Sequence, residues 1–199
     1  MNLPNKISTV RLLLIPVFAA VFYIEFTGHY FIAAAVFALA AFTDFLDGYI
    51  ARKYKLVTDL GKFLDSSADK VLVLSALAFL LDADFFPIKV VGGVMTALIL
   101  AREIMISCLR MIAASKKVVI AADKLGKFKT VLQDVSLVAL IAAGGTSAEW
   151  LSFAGTAVLA LSVIMAVVSG VHYLVVYRGV LTTESKKEET IKAENGEDK

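Results

Sequence analysis

The sequence predicts an all-α integral membrane protein: six transmembrane helices in one domain over residues 1–181, both termini cytoplasmic, and a disordered charged tail over residues 182–199. Three observations predict it. Of the 199 residues, 59% are hydrophobic and only 19% charged, and mean hydropathy is +0.79, well above a soluble domain's. The apolar residues fall into six segments near the about 20 residues that one crossing needs. Basic residues gather in alternate connections, which the positive-inside rule assigns to the cytoplasm. Membrane lipids, and no nucleic acid, are the partners such a surface implies.

The first apolar segment, residues 10–26, follows Lys6 and Arg11. It resembles a signal peptide until the cleavage site, where the next small-residue run, Ala33 to Ala35, already belongs to the second segment, so it stays as an anchor. The second, residues 30–50, opens after the Thr27-Gly28 break, and its run from Ala33 to Ala41 suits close helix packing. Arg52, Lys53, Lys55 and Lys62 follow on the cytoplasmic side, with a break expected around Gly61. The third segment, residues 64–81, spans despite two aspartates and ends at the break from Asp82 to Asp84. The fourth, residues 85–112, exceeds bilayer thickness and so tilts or extends into the cytoplasm. Cys108 within it is the only cysteine, which excludes an intrachain disulfide and reads as a buried thiol.

A basic connection holding Arg110, Lys116, Lys117, Lys124, Lys127 and Lys129 leads to the fifth segment, residues 130–143. Its inner end, beside Gln133 and Asp134, must meet a polar environment. After Gly144-Gly145 the sixth segment covers residues 150–177, with Trp150 and Tyr173 as interfacial anchors, His172 as an ordinary polar residue, and Arg178 beyond. The opposite-side connections offer only Lys89 among Glu25, Asp82, Asp84 and Glu149. The tail contains four lysines and six acids, so the rest of the chain is more positive than the total of +2 suggests.

Four aspartates stand against this background. Their order is Asp44-x-x-Asp47-Gly48-x-x-Ala51-Arg52, eight residues, then Gly61-x-x-x-Asp65-x-x-x-Asp69. A charged side chain deep in a bilayer costs roughly 2.5–3.5 kcal/mol on insertion scales, so several together imply a polar cavity, a bound cation, or both. Spacings of three and four put each pair on one helical face, and the short connection lets the two helices face each other at the cytoplasmic surface. Hard carboxylate oxygens so arranged suit magnesium or manganese, two of which can share a carboxylate and clamp a phosphate oxygen. Gly48 and Gly61 would let a bulky ligand approach the backbone, and Arg52 offers a donor fork for phosphate. Structural ion pairing with Arg52, Lys62 and Lys70 is the simpler alternative, but the acids outnumber inward-facing partners.

The same spacing resembles the signature of the CDP-alcohol phosphotransferases, membrane enzymes of phospholipid synthesis, with all eight fixed positions filled between Asp44 and Asp69. Within that family the chain is most similar to the bacterial phosphatidylglycerophosphate synthases. The segments carrying this likeness run from Asn2 to Arg11, from Ala101-Arg102-Glu103-Ile104 to Leu109-Arg110, and from Gly126-Lys127-Phe128-Lys129-Thr130 to Gln133. One departure is Ser66-Ser67 after Asp65, where the family pattern has a proline.

The resemblance implies a homodimer of the CDP-alcohol phosphotransferase fold. It implies two divalent ions, Mg2+ or Mn2+, held by Asp44, Asp47, Asp65 and Asp69, with Asp69 also the general base. CDP-diacylglycerol would meet Asn5, Gly48, Arg52, Thr58 and Gly61. The acceptor, sn-glycerol 3-phosphate, would place its phosphate among Arg110, Lys127, Lys129 and Arg102, although positive-inside anchoring alone accounts for such cations and Arg102 has acids nearby to pair with. Cardiolipin synthesis, with phosphatidylglycerol as acceptor, is the nearest alternative, alongside another CDP-alcohol phosphotransferase with a different acceptor. A cation transporter is a remote one, because no further acids continue through the outer halves of the helices.

Overall fold

The computed structural model of the chain describes residues 3–53, 59–116, 118, 124–146 and 148–178. Among them are six helices: α1 (Leu3–Tyr23), α2 (His29–Lys53), α3 (Asp59–Asp82), α4 (Lys89–Ser115), α5 (Lys124–Ala143) and α6 (Glu149–Val176). Thr58 and the charged tail over residues 182–199 lie outside the described residues.

Order and number of helices follow the apolar segments, whereas several ends differ. α1 begins at Leu3 instead of residue 10, with Pro4 tolerated in the first turn because its missing N–H has no helical partner there. Lys6 and Arg11 are therefore helical. α5 begins at Lys124, which makes Lys127 and Lys129 part of the helix. The expected break at Gly61 is absent, since α3 starts at Asp59 and runs through it. The other breaks hold. Gly28 takes φ +81 and Asp84 φ 55, left-handed conformations that glycine and aspartate accept most readily. Gly144 lies so close to the α3–α4 connection that a Cβ there would collide with the Phe85 ring.

α1 packs on α2 and α3, α2 on α5, α5 on α6, α6 on α4, and α4 on α3, closing a ring of six; α3 also touches α2 and α5. Ala33 and Ala40 are fully buried in α2, as the small-residue run requires. Phe18, Phe37, Leu77, Leu80, Leu140, Ile141 and Leu159 fill the centre. Toward the Gly28 and Asp84 turns the filling becomes aromatic: Phe79 packs with Phe18, Phe22 and Tyr23, and Tyr30 with Phe22 and Phe85.

The outside is as apolar as the inside. Leu13, Val17, Val90, Val94, Ile164, Val168 and Val175 all project outward, the inverse of a soluble bundle, in which the exposed faces are polar. Cys108 shares this outer face of α4 and is exposed, not buried, because the inward positions there belong to Ile106 and Leu109. α4 and α6 are each long and apolar enough to cross a bilayer, and shorter apolar stretches occupy Ile7–Tyr23 and His29–Asp44. α3 and α5 fall short of that measure because their first turns carry charged residues.

Candidate active site

The helix ends remote from the aromatic plug enclose a polar cavity of about 310 Å³. α2 supplies Asp44 to its wall. α3 supplies Asp65 and Asp69, four residues apart and so on one face. Arg102, Glu103 and Arg110 come from α4, Lys127, Lys129, Thr130 and Gln133 from α5, and Tyr173 from α6. The predicted convergence of aspartates from two helices is thus present for three of the four. Asp47, Gly48 and Arg52 lie on described α2 backbone, and Asn5 on that of α1, but their side chains lie outside what the structure describes. Gly61 is a half-buried position in the first turn of α3.

Arg11 joins the carboxylates. Its Nη1 donates to Asp44 Oδ1 at 2.6 Å and to Asp65 Oδ1 at 3.2 Å, and its side chain is 0% exposed against 39% and 44% for the two aspartates. One guanidinium thereby ties α1 to both α2 and α3. In the sequence Arg11 reads only as a basic residue at the start of the first apolar segment, and the sole signal for its role is its place in the Asn2-to-Arg11 segment.

A second charge cluster lines the same cavity. Lys129 Nζ donates to Glu103 Oε1 at 2.6 Å, and Arg102 Nη1 donates to the same oxygen at 3.0 Å. The Lys129 and Arg102 side chains are only 3% and 12% exposed, so Glu103 neutralises two nearly buried cations. Lys127 and Arg110 differ from this pair in being exposed. The Arg110 guanidinium sits 6.0 Å from the ring centroid of Tyr173, at the edge of cation–π range. Tyr173 is 4% exposed, which replaces its reading as an interfacial anchor. Ser66, at the departure from the family pattern, takes a hydrogen bond from Lys70 Nζ to its Oγ at 2.6 Å.

Carboxylates and cations lining one cavity can hold a charged diphosphate through a divalent cation and an anionic second substrate beside it. The donor set of Asp44, Asp65 and Asp69 is all hard oxygen and fits Mg2+ or Mn2+. Among the described residues no three acidic, histidine or cysteine side chains already stand at metal-binding separation. Arg11 supplies the positive charge between two of them.

Residues 1–181 match the CDP-alcohol phosphatidyltransferase family. The chain belongs to that family. A protein of Rickettsia typhi named CDP-diacylglycerol–glycerol-3-phosphate 3-phosphatidyltransferase is 38% identical over 173 residues, covering 86% of this chain and 94% of its own. Proteins of the same name from Salmonella paratyphi A and Bacillus subtilis are similar too. The first is 36% identical over 182 residues, 90% of this chain and 97% of its own. The second is 39% identical over 152 residues, 70% of this chain and 76% of its own. Membership makes the apolar exterior that of a membrane enzyme of phospholipid synthesis.

Proposed function

We propose that this protein transfers the phosphatidyl group of CDP-diacylglycerol to sn-glycerol 3-phosphate, releasing CMP and forming phosphatidylglycerophosphate. The observation that supports the reading is that one cavity is lined by Asp44, Asp65 and Asp69 together with Arg110 and Lys127. In this reading Asp44, Asp47, Asp65 and Asp69 hold two ions, Mg2+ or Mn2+, which when bound neutralise the diphosphate and the departing CMP. Asn5, Gly48, Arg52, Thr58 and Gly61 receive the CDP part. Arg110 and Lys127 take the acceptor phosphate, and Lys129 and Arg102, held by Glu103, form the wall behind it.

Asp69 removes the proton from an acceptor hydroxyl. That oxygen bonds to the lipid-side phosphorus, the bond from this phosphorus to the bridging oxygen breaks, and its electron pair leaves with CMP. Alignment of hydroxyl and phosphorus within one pocket supplies much of the acceleration. The chain crosses the cytoplasmic membrane six times with both termini and the cavity mouth cytoplasmic, and it works as a homodimer. The basic connections support the orientation; family resemblance supports the dimer.

The test is CMP release by purified protein in detergent with CDP-diacylglycerol, Mg2+ and each of two acceptors. Glycerol 3-phosphate should support turnover and phosphatidylglycerol should not; the reverse would make the enzyme a cardiolipin synthase. Asp69→Asn should lower kcat at least 10²-fold, the usual scale of a lost general base. Lys127→Ala should raise KM for glycerol 3-phosphate about tenfold while leaving that for CDP-diacylglycerol unchanged. Metal-independent CMP release, or full activity in Asp69→Asn, would refute the mechanism.

A further inference from the structure

The cavity holds one polar side chain that the charge chemistry leaves unused. Gln133 stands on α5, one turn beyond Lys129, and lines the cavity although it is only 2% exposed. Its Oε1 is buried and accepts no hydrogen bond. A buried amide oxygen without a donor costs about 1–3 kcal/mol, so a fold keeps one where something else supplies the partner. Arg102 Nε is a second buried, unpartnered group in the lining, whereas the nearby hydroxyls are committed. Thr130 donates from Oγ1 to the Gly126 carbonyl at 3.1 Å, and Ser136 donates from Oγ to the Gln133 carbonyl at 2.7 Å. Glu103 is occupied by Lys129 and Arg102.

A neutral amide is a poor partner for phosphate beside four cations, and a good one for a hydroxyl. An amide carries an acceptor and donors at the same end, and a hydroxyl both donates and accepts, so the two match whichever way the amide is turned. The acceptor in the proposed reaction has a phosphate, a reacting hydroxyl and a second hydroxyl, and the first two are provided for by Arg110, Lys127 and Asp69. We propose that Gln133 is a specificity-determining residue that hydrogen-bonds the acceptor's non-reacting hydroxyl, so that the site selects a polyol phosphate over a phosphate with one hydroxyl. This rests on the function proposed above.

The probe is 3-hydroxypropyl phosphate, which is glycerol 3-phosphate without its central hydroxyl. Wild-type protein should use glycerol 3-phosphate with a kcat/KM about tenfold or more above that for the probe, the worth of one buried hydrogen bond. In Gln133→Met, which is close in shape, the ratio should fall to near one through loss on glycerol 3-phosphate alone. KM for CDP-diacylglycerol should not change.

Stability supplies a readout independent of turnover. Removing an unpartnered oxygen should leave the melting midpoint of the ligand-free variant level or higher, and should remove most of the upward shift that glycerol 3-phosphate gives the wild type. A variant that melts far lower or does not fold would mean that Gln133 is a satisfied structural residue, which overturns the proposal. So would a wild type that turns over both acceptors equally. A wild type inactive with glycerol 3-phosphate but active with phosphatidylglycerol would instead remove the underlying function, a result separable from the others.

Discussion

Replacing Arg11 by methionine probes the site's electrostatics most directly. The substitution keeps an unbranched apolar stem in α1 and deletes a guanidinium that reaches Asp44 at 2.6 Å and Asp65 at 3.2 Å. Breaking a fully buried pair costs roughly 3–5 kcal/mol, most of it from the charge left behind. Here the charges left behind are carboxylates 39% and 44% exposed, which water can partly rehydrate. The expected loss is therefore about 2–3 kcal/mol, or on the order of 5–10 °C in melting midpoint for a domain of this size.

A divalent cation held by the same aspartates would replace the missing charge. The deficit of Arg11→Met should shrink by at least half at saturating Mn2+, so that the variant gains more from metal than the wild type does. Thermal unfolding in detergent with and without Mn2+ measures both quantities. A deficit below about 0.5 kcal/mol, or one equally large with and without metal, would refute the idea that Arg11 and the metal serve the same carboxylates.

Two further pairs of variants test the rest of the structure. Glu103→Gln leaves Lys129 and Arg102 without their shared counter-charge and should cost about 3 kcal/mol, whereas Glu103→Gln combined with Lys129→Met should recover part of that loss in the same melting assay. Gly155→Ala puts a Cβ 2.9 Å from Cγ of Leu140 between α5 and α6 and should destabilise by about 1–3 kcal/mol, while Gly93→Ala, with nothing within 4 Å, should be neutral or gain up to about 1 kcal/mol of helix propensity.

The aspartates were legible because the hydrophobic background made each one expensive, and the three- and four-residue spacings needed only helical geometry to put Asp65 and Asp69 on one face. The six helices were legible for the same reason. Local pattern could not reveal partners far apart in sequence. Arg11 meets aspartates 33 and 54 residues away, and its basic character near a terminus fits a surface anchor equally well until α1 is docked on α2 and α3. Lys124 to Lys129 hid the start of α5 because sustained apolar content marks a membrane helix, and this helix end, which lines a polar cavity, has only Leu125 and Phe128. Cys108 and Tyr173 had their exposures reversed because both sit in uniformly apolar runs, where only packing decides which side faces the neighbouring helix.

The fold itself bears on whether these acids catalyse or conduct. A transport path would need polar groups or water to continue from the cavity toward the Gly28 and Asp84 turns. Among the described residues the ring is instead filled beyond the cavity by Leu72, Leu77, Leu80, Leu140 and Ile141, each at most 1% exposed, and then by the Phe18, Phe22, Phe79 and Phe85 cluster. Opening a route would mean separating contacts among α1, α3 and α5, at about 2–5 kcal/mol for each large apolar side chain displaced from a packed core. Among the described residues the polar space therefore ends against this apolar packing. A pocket that combines carboxylates with cations and ends against packed apolar side chains suits holding two anionic substrates against each other better than passing an ion through.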